Sequence, residues 1–314
     1  MIETLETYSL IAVYSAMGVY TIAFIMFALD LSRRSVATPV AASERVTRAV
    51  LNASSSTAVL DKTDAPARVA GPRYLRAAMA LTVLAWALHV TGAVLRGLAA
   101  GRVPWANMFE FTLTATAIIV GVFLLVQFWQ DLRFLGTFIT GFALIGLGVG
   151  TVNFYVAVVP LPPALQSPWL VIHVFVATLG TGFFALGAGL SIVQLLKSRS
   201  AAGPKFLNTL PSVDRLENLA YRLNVVGFVF WTFTLIAGAI WAERAWGRYW
   251  GWDTKEVWTF IIWVIFAGYI HARATRGWRG SRSAWLAIIG FTAVLFNFTI
   301  VNLFFKGLHA YSGL

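Results

Sequence analysis

The chain contains no cysteine. It therefore has no disulfide, no thiolate metal site and no thiol nucleophile of its own. Charge is scarce as well. Asp, Glu, Lys and Arg make up 12% of the 314 residues, about half the roughly 25% of an ordinary soluble domain. Histidine is confined to four positions, His89, His173, His271 and His309. Apolar residues fill the rest: 59% are hydrophobic and 15% aromatic, with 13 Trp and 24 Phe. This composition excludes a disordered chain and a typical soluble enzyme. A net charge of +11 suggests nucleic acid in a soluble protein, but in a membrane protein it sets orientation.

Crossing ~30 Å of hydrocarbon takes about 20 apolar residues in a helix. Eight runs qualify, at 8–29, 77–98, 111–130, 134–159, 168–196, 221–241, 257–271 and 284–305, the seventh starting near Trp252. They predict an all-α, polytopic membrane helix bundle. Glu3 and Glu6 before the first run, and the length of that run, argue against a cleaved leader. The fourth and fifth runs carry small residues at helical spacing, among them Gly146, Gly150, Gly180 and Gly187. These let helices approach closely.

The loop 30–76 holds Arg33, Arg34, Arg45, Arg48, Lys62, Arg68, Arg73 and Arg76, so it is expected to be cytoplasmic. Alternation then puts the Lys/Arg-rich loops 197–222 and 271–282 on that side too. The connections 96–110, 160–167 and 242–256 and the tail 306–314 are poorer in positive charge and fall outside. Both termini are thus expected to be extracytoplasmic, and nucleic-acid binding becomes unnecessary. Residues 1–76 read as a first helix plus a polar loop, flexible around its Ala/Ser/Thr-rich stretch 53–58, and residues 77–314 as the membrane core.

Ionisable residues inside a membrane are costly, so each histidine is a candidate ligand. His173 and His309 belong to the external side and can meet there. His89 and His271 lie within the spans, at unequal depths, with His89 about 18 Å from the inner end of its helix at 1.5 Å per residue. A single membrane histidine is often only a hydrogen-bonding group within the bundle. With no Cys and few carboxylates, however, a histidine pair suits an iron porphyrin, whose ring supplies four equatorial donors. A transmembrane dihaem stack needs two histidines per helix, which this chain lacks.

The external segment 241–258 contains Trp246-Gly247-Arg248-Tyr249-Trp250-Gly251-Trp252-Asp253, with Trp241 before it and Lys255 after. An interfacial aromatic belt is the simple explanation. The density of rings and the two glycines instead favour a platform for a flat ligand, with Arg248 and Lys255 pairing with its carboxylates. Asp253-Thr254-Lys255-Glu256 also has the form of a capping box for the seventh helix.

These residues resemble the tryptophan-rich "WWD" signature of haem-handling membrane proteins. Gly238-Ala239-Ile240-Trp241-Ala242 precedes the signature, Lys255-Glu256-Val257-Trp258 follows it, and His271-Ala272-Arg273 closes the next helix. Further on stands Val301-Asn302-Leu303-Phe304-Phe305-Lys306-Gly307-Leu308-His309. Pro104, Asn107 and Glu110 match a Pro-x-x-Asn-x-Tyr/Phe-Glu stretch. Together they are similar to the CcsA/ResC family of System II cytochrome c biogenesis, called CcsB in actinobacteria. Thr254 stands where that family commonly has Pro.

The resemblance implies a multi-pass protein of the plasma membrane with its active face extracytoplasmic. It implies haem b as cargo, a ResB-type membrane partner (CcsB-type in other nomenclature), and apocytochrome c as acceptor, its Cys-x-x-Cys-His thiols kept reduced by a thioredoxin-like pathway. The chain is then a subunit of a holocytochrome c synthase. By the same resemblance His173 and His309 are external axial ligands around Trp241, Trp246, Tyr249, Trp250, Trp252 and Asp253. His271 and His89 are intramembrane ligands. The alternative is a haem exporter or chaperone of the System I type without synthase activity; a purely structural subunit fits the Trp density poorly.

Overall fold

The computed structural model describes residues 2–36, 73–161, 163–199, 205–305 and 307–309. The expectation of a flexible stretch at 53–58 lies outside them. All regular structure among the described residues is helical, and eight helices are long and apolar enough to cross a membrane. They are α1 (Ile2–Val36), α2 (Arg73–Ala100), α3 (Met108–Val126), α4 (Gly136–Asn153), α5 (Pro168–Arg199), α6 (Val213–Trp246), α7 (Thr254–Arg276) and α8 (Ser281–Phe298), the last continued by the short α9 (Ile300–Phe304). This is a multi-pass membrane protein.

The helices pack mainly as neighbours. α1 lies along α2 and α4, α3 against α2, α4 and α5, and α5 against α6 and α8, with α7 between α6 and α8. α3 is the central span, most of its side chains being buried, whereas α7 buries few and is largely peripheral. Lipid offers no hydrophobic drive for helix association, so close packing must supply it. Gly180 and Gly227 show how. A Cβ on Gly180 would lie 3.2 Å from the Gly227 carbonyl oxygen, so a larger residue there would push α5 and α6 apart.

Sequence and structure agree on the spans except at their ends. α4 stops at Asn153 instead of continuing to 159, and the chain from 154 crosses the end of the bundle as a loop. α7 begins at Thr254, one residue after its cap. α8 is interrupted at Thr299 (φ −92°, ψ −71°), whose hydroxyl donates to the Leu295 carbonyl at 2.7 Å. Residues 307–309 lie beside the start of α7, where Leu308 and His309 meet Asp253.

A buried ionic network pins the end of the bundle where α1 begins. Arg96 of α2 donates to Glu110 of α3 and to Glu6 of α1, both at 3.1 Å, and to the Val156 carbonyl at 2.7 Å. Arg102 donates to Glu110 at 2.6 Å. Glu110 also accepts from the Ala106 amide at 3.0 Å. Two arginines face two glutamates here, so the buried charge is balanced.

Candidate functional site

Four segments converge at this same end. α5 opens on Pro168, whose fixed φ suits a first helical position, and His173 lies in its second turn. α6 ends with Trp241 and Trp246 and is terminated by Gly247 at φ +71°, a conformation that favours glycine. α7 starts with a true capping box. Asp253 Oδ1 accepts from the Lys255 amide at 2.9 Å, and Glu256 Oε2 accepts from the amides of Asp253 and Gly251 at 3.1 and 2.8 Å. The fourth segment, 307–309, is held by Asp253 Oδ2, which accepts from the Leu308 amide at 2.8 Å.

The two external histidines meet around Trp241. His173 stacks on it with ring centroids 5.8 Å apart and planes 16° off parallel. His309 meets it edge-on at 5.4 Å and meets Trp246 at 4.8 Å. Both histidines line a cavity of about 490 Å³ that runs inward between α3, α4, α5 and α8, and an adjoining one of about 60 Å³. The larger lies within the usual range for small-molecule sites, about 300–1,000 Å³. Its wall is apolar apart from threonines, asparagines, these histidines and Lys255. It reaches the protein's flank at Ile145 and Val149, which are 70% and 43% exposed.

Hydrogen bonding fixes which ring nitrogen is available. His173 Nδ1 lies 3.0 Å from the Thr234 carbonyl oxygen, so it carries the proton and donates. Its ring rests against Gly238, where an added Cβ would come within 2.7 Å. His309 Nδ1 is 3.1 Å from Asp253 Oδ1. The hydrogen bond from His309 holds the Asp253 carboxyl down at about 2, with the backbone amides of Lys255 and Leu308 assisting. Burial lowers the His309 pKa, outweighing its carboxylate partner. His309 is therefore neutral at pH 7, its Nδ1–H on Asp253 and its Nε2 without a hydrogen-bond partner among the described residues. Two imidazoles with oriented Nδ1–H groups, and with Nε2 atoms that meet no hydrogen-bond partner among the described residues, have the chemistry of a bis-histidine donor set.

The remaining predicted residues are more dispersed. Lys255 lines the cavity and its ammonium donates to Asn302 Oδ1. Arg248 turns to Glu256, at 3.3 Å, and lies over the Trp246 ring. Tyr249 and Trp250 border the smaller cavity. Trp252 is 75% exposed and has a positive φ of 59°, an uncommon state for so large a residue. His89 is fully enclosed: Nε2 donates to the Leu113 carbonyl at 2.8 Å, and Nδ1 is 3.4 Å from the Tyr20 hydroxyl. His271 is exposed near the opposite end of α7. Neither lines the cavity shared by the other two.

Sequence reasoning did not single out Trp105 or Asn297, and named Asn302 only within the 301–309 stretch; all three also line this cavity. Asn297 and Asn302 did leave a signal, as amides inside an otherwise apolar eighth span. Arg96 and Glu110 left one too, as opposite charges at facing ends of neighbouring spans.

The structure is that of an eight-span membrane helix bundle with a histidine-lined cavity at one end. Residues 75–309 match the cytochrome C assembly protein family. The chain is 33% identical over 252 residues to the cytochrome c biogenesis protein CcsA of Trieres chinensis, covering 70% of this chain and 81% of that one. It is 33% identical over 293 residues to CcsA of Porphyra purpurea, covering 79% and 90%. CcsA of Prochlorococcus marinus is 35% identical over 249 residues, covering 69% and 78%. Among solved structures it resembles in fold the cytochrome c heme lyase CcmF, with a TM-score of 0.64 at 15% identity, over 94% of this chain and 46% of that one. The chain thus spans about half the length of that lyase. It belongs to the cytochrome c assembly protein family, on its CcsA branch, and is a cytochrome c biogenesis protein.

Proposed function

We propose that this protein holds haem b in the cavity between His173 and His309, at the extracytoplasmic face of the plasma membrane, and presents it to apocytochrome c with a ResB-type partner. The observation that carries the reading is the shared wall: both histidines contact Trp241 beside one apolar cavity, each with Nδ1 occupied.

The residues fit the cargo. Iron takes two neutral imidazoles as axial ligands, and the apolar walls suit a porphyrin face. Haem supplies the reactive vinyl groups, and the protein supplies binding and orientation. Thr234 and Asp253 set the tautomers of His173 and His309, and Gly238 gives His173 room. His309 sits on a short returning segment rather than inside a helix, so it is the ligand better placed to yield to the histidine of an incoming Cys-x-x-Cys-His. Each thiol then adds across a vinyl double bond, sulfur to one carbon and hydrogen to the next, with no oxidant required. An intramembrane haem on His89 and His271, as the resemblance implies, would require His89 to release Leu113 or Tyr20.

The test is co-expression with a ResB-type partner and a c-type cytochrome. The purified complex should show a low-spin bis-histidine haem spectrum, and His173→Ala or His309→Ala should abolish covalent attachment. Haem-free complex from haem-sufficient cells, or normal maturation in either variant, would remove the proposal. Haem binding without thioether formation in the full system would favour the exporter or chaperone alternative.

A further inference from the structure

We propose that Trp105, Asn107 and Lys255 form a carboxylate-binding wall in this cavity, which takes the propionates of the haem. The assignment rests on the haem reading of the same cavity.

All three residues line the cavity, and each side chain carries an N–H donor. Trp105 Nε1 and Asn107 Nδ2 are buried and have no hydrogen-bond partner among the described residues. A buried donor without an acceptor is rare in folded proteins and marks a place where a ligand atom belongs. Asn107 is 5% exposed, and its Oδ1 is taken as the cap of α3, accepting from the Glu110 amide at 2.9 Å. That bond fixes the amide plane, and Nδ2 is the end left over. Lys255 gives one of its three N–H groups to Asn302, which leaves two. Asn302 in turn donates to Met108 Sδ at 3.3 Å, which brings the Lys255 side chain to the first residue of α3.

The electrostatics select an anion. No Asp or Glu is among the described residues lining the cavity, and Lys255 supplies its positive charge. The α3 N-terminus adds the positive end of a helix dipole. Glu110 is close in sequence, but Arg96 and Arg102 balance it, and it accepts from the Ala106 amide. It therefore acts as a clamp on the segment that carries Trp105 and Asn107. Arg248 and Arg244, the other cations of the tryptophan segment, are paired with Glu256 and Glu243. Haem bears both carboxylates on one edge, so a donor wall that holds this edge also fixes where the vinyl groups lie.

The experiment compares haemin with haemin dimethyl ester, whose propionates are blocked, using complex purified from haem-limited cells. The wild type should bind haemin at least about tenfold more tightly, the usual strength of a charge-assisted hydrogen bond. Asn107→Asp keeps a good helix cap and replaces the donor with a negative charge; Trp105→Phe keeps the ring and removes the N–H. Each should shrink the preference for haemin while the bound ester keeps its low-spin spectrum. Equal binding of the two porphyrins by the wild type, or a preference unchanged in both variants, overturns the wall and leaves the haem site standing. A wild type that binds neither overturns the haem reading and the wall with it. Oleate that displaces the ester from wild type but not from Asn107→Asp would reassign the wall to a lipid carboxylate and overturn the propionate assignment.

Discussion

Asp253 joins two roles that a sequence motif can only partly reveal. Its place in Asp-Thr-Lys-Glu announces the cap of α7, and the structure bears that out. Its bonds to His309 and Leu308 come from residues 55 and 56 positions away, which no local pattern encodes. Asp253→Asn should preserve the helix start, because Asn caps as well as Asp. It should lower haem retention by about 10–100-fold, as is usual when the carboxylate behind a ligating histidine is lost. Titrating purified haem-free variant against wild type with haemin would measure this, and equal affinities would confine Asp253 to capping. The pH dependence has a definite sign. Burial lowers the His309 pKa below its ordinary 6.5, so Nε2 stays unprotonated through neutrality. Haem retention should be level across the neutral range and fall only on acidification below 6.5; a fall that begins above it would contradict a buried, neutral His309.

At the scale of elements, the spans were legible because only long apolar runs can cross a bilayer, and the chain has eight of them. Their ends were legible only where the cap is local. α4 shows the limit. Apolar residues continue past Asn153, yet the helix stops. Arg96 takes the Val156 carbonyl, and the Val158 amide donates to Glu6 at 2.7 Å. Backbone groups that find partners elsewhere have no need of a helix, and those partners lie up to 152 residues away. The same network ties α1, α2 and α3 together. Glu110→Gln leaves Arg96 and Arg102 facing Glu6 alone, deep in the structure. Breaking a buried ion pair from one side costs about 3–5 kcal/mol, so thermal unfolding in detergent should shift well below that of the wild type. Haem retention should fall with it, because the 102–107 segment loses its clamp. An unchanged unfolding transition would show that the network contributes little.

For the molecule as a whole, the absence of cysteine turns from an exclusion into a tool. The site, the ionic network and the exposed ring of Tyr249 (63% exposed) share one end of the bundle. The other end carries Arg133, Arg199, Arg215, Arg222, Arg273, Arg276, Arg279 and Arg282. Positive residues are retained on the cytoplasmic side during insertion, so under the proposed function the arginine-rich end is expected inside and the site outside. Haem attachment to a cytochrome outside the cytoplasm needs that orientation. A single cysteine introduced into this chain is its only thiol, which makes the orientation directly measurable. Tyr249→Cys, beside the site, should react with a membrane-impermeant maleimide on intact cells. Thr275→Cys, exposed at the far end of α7, should react only after the cells are opened. The reverse pattern would place the histidine pair in the cytoplasm, where it could receive haem but could not present it to an exported acceptor, and the proposed function would then fail even with the cavity intact.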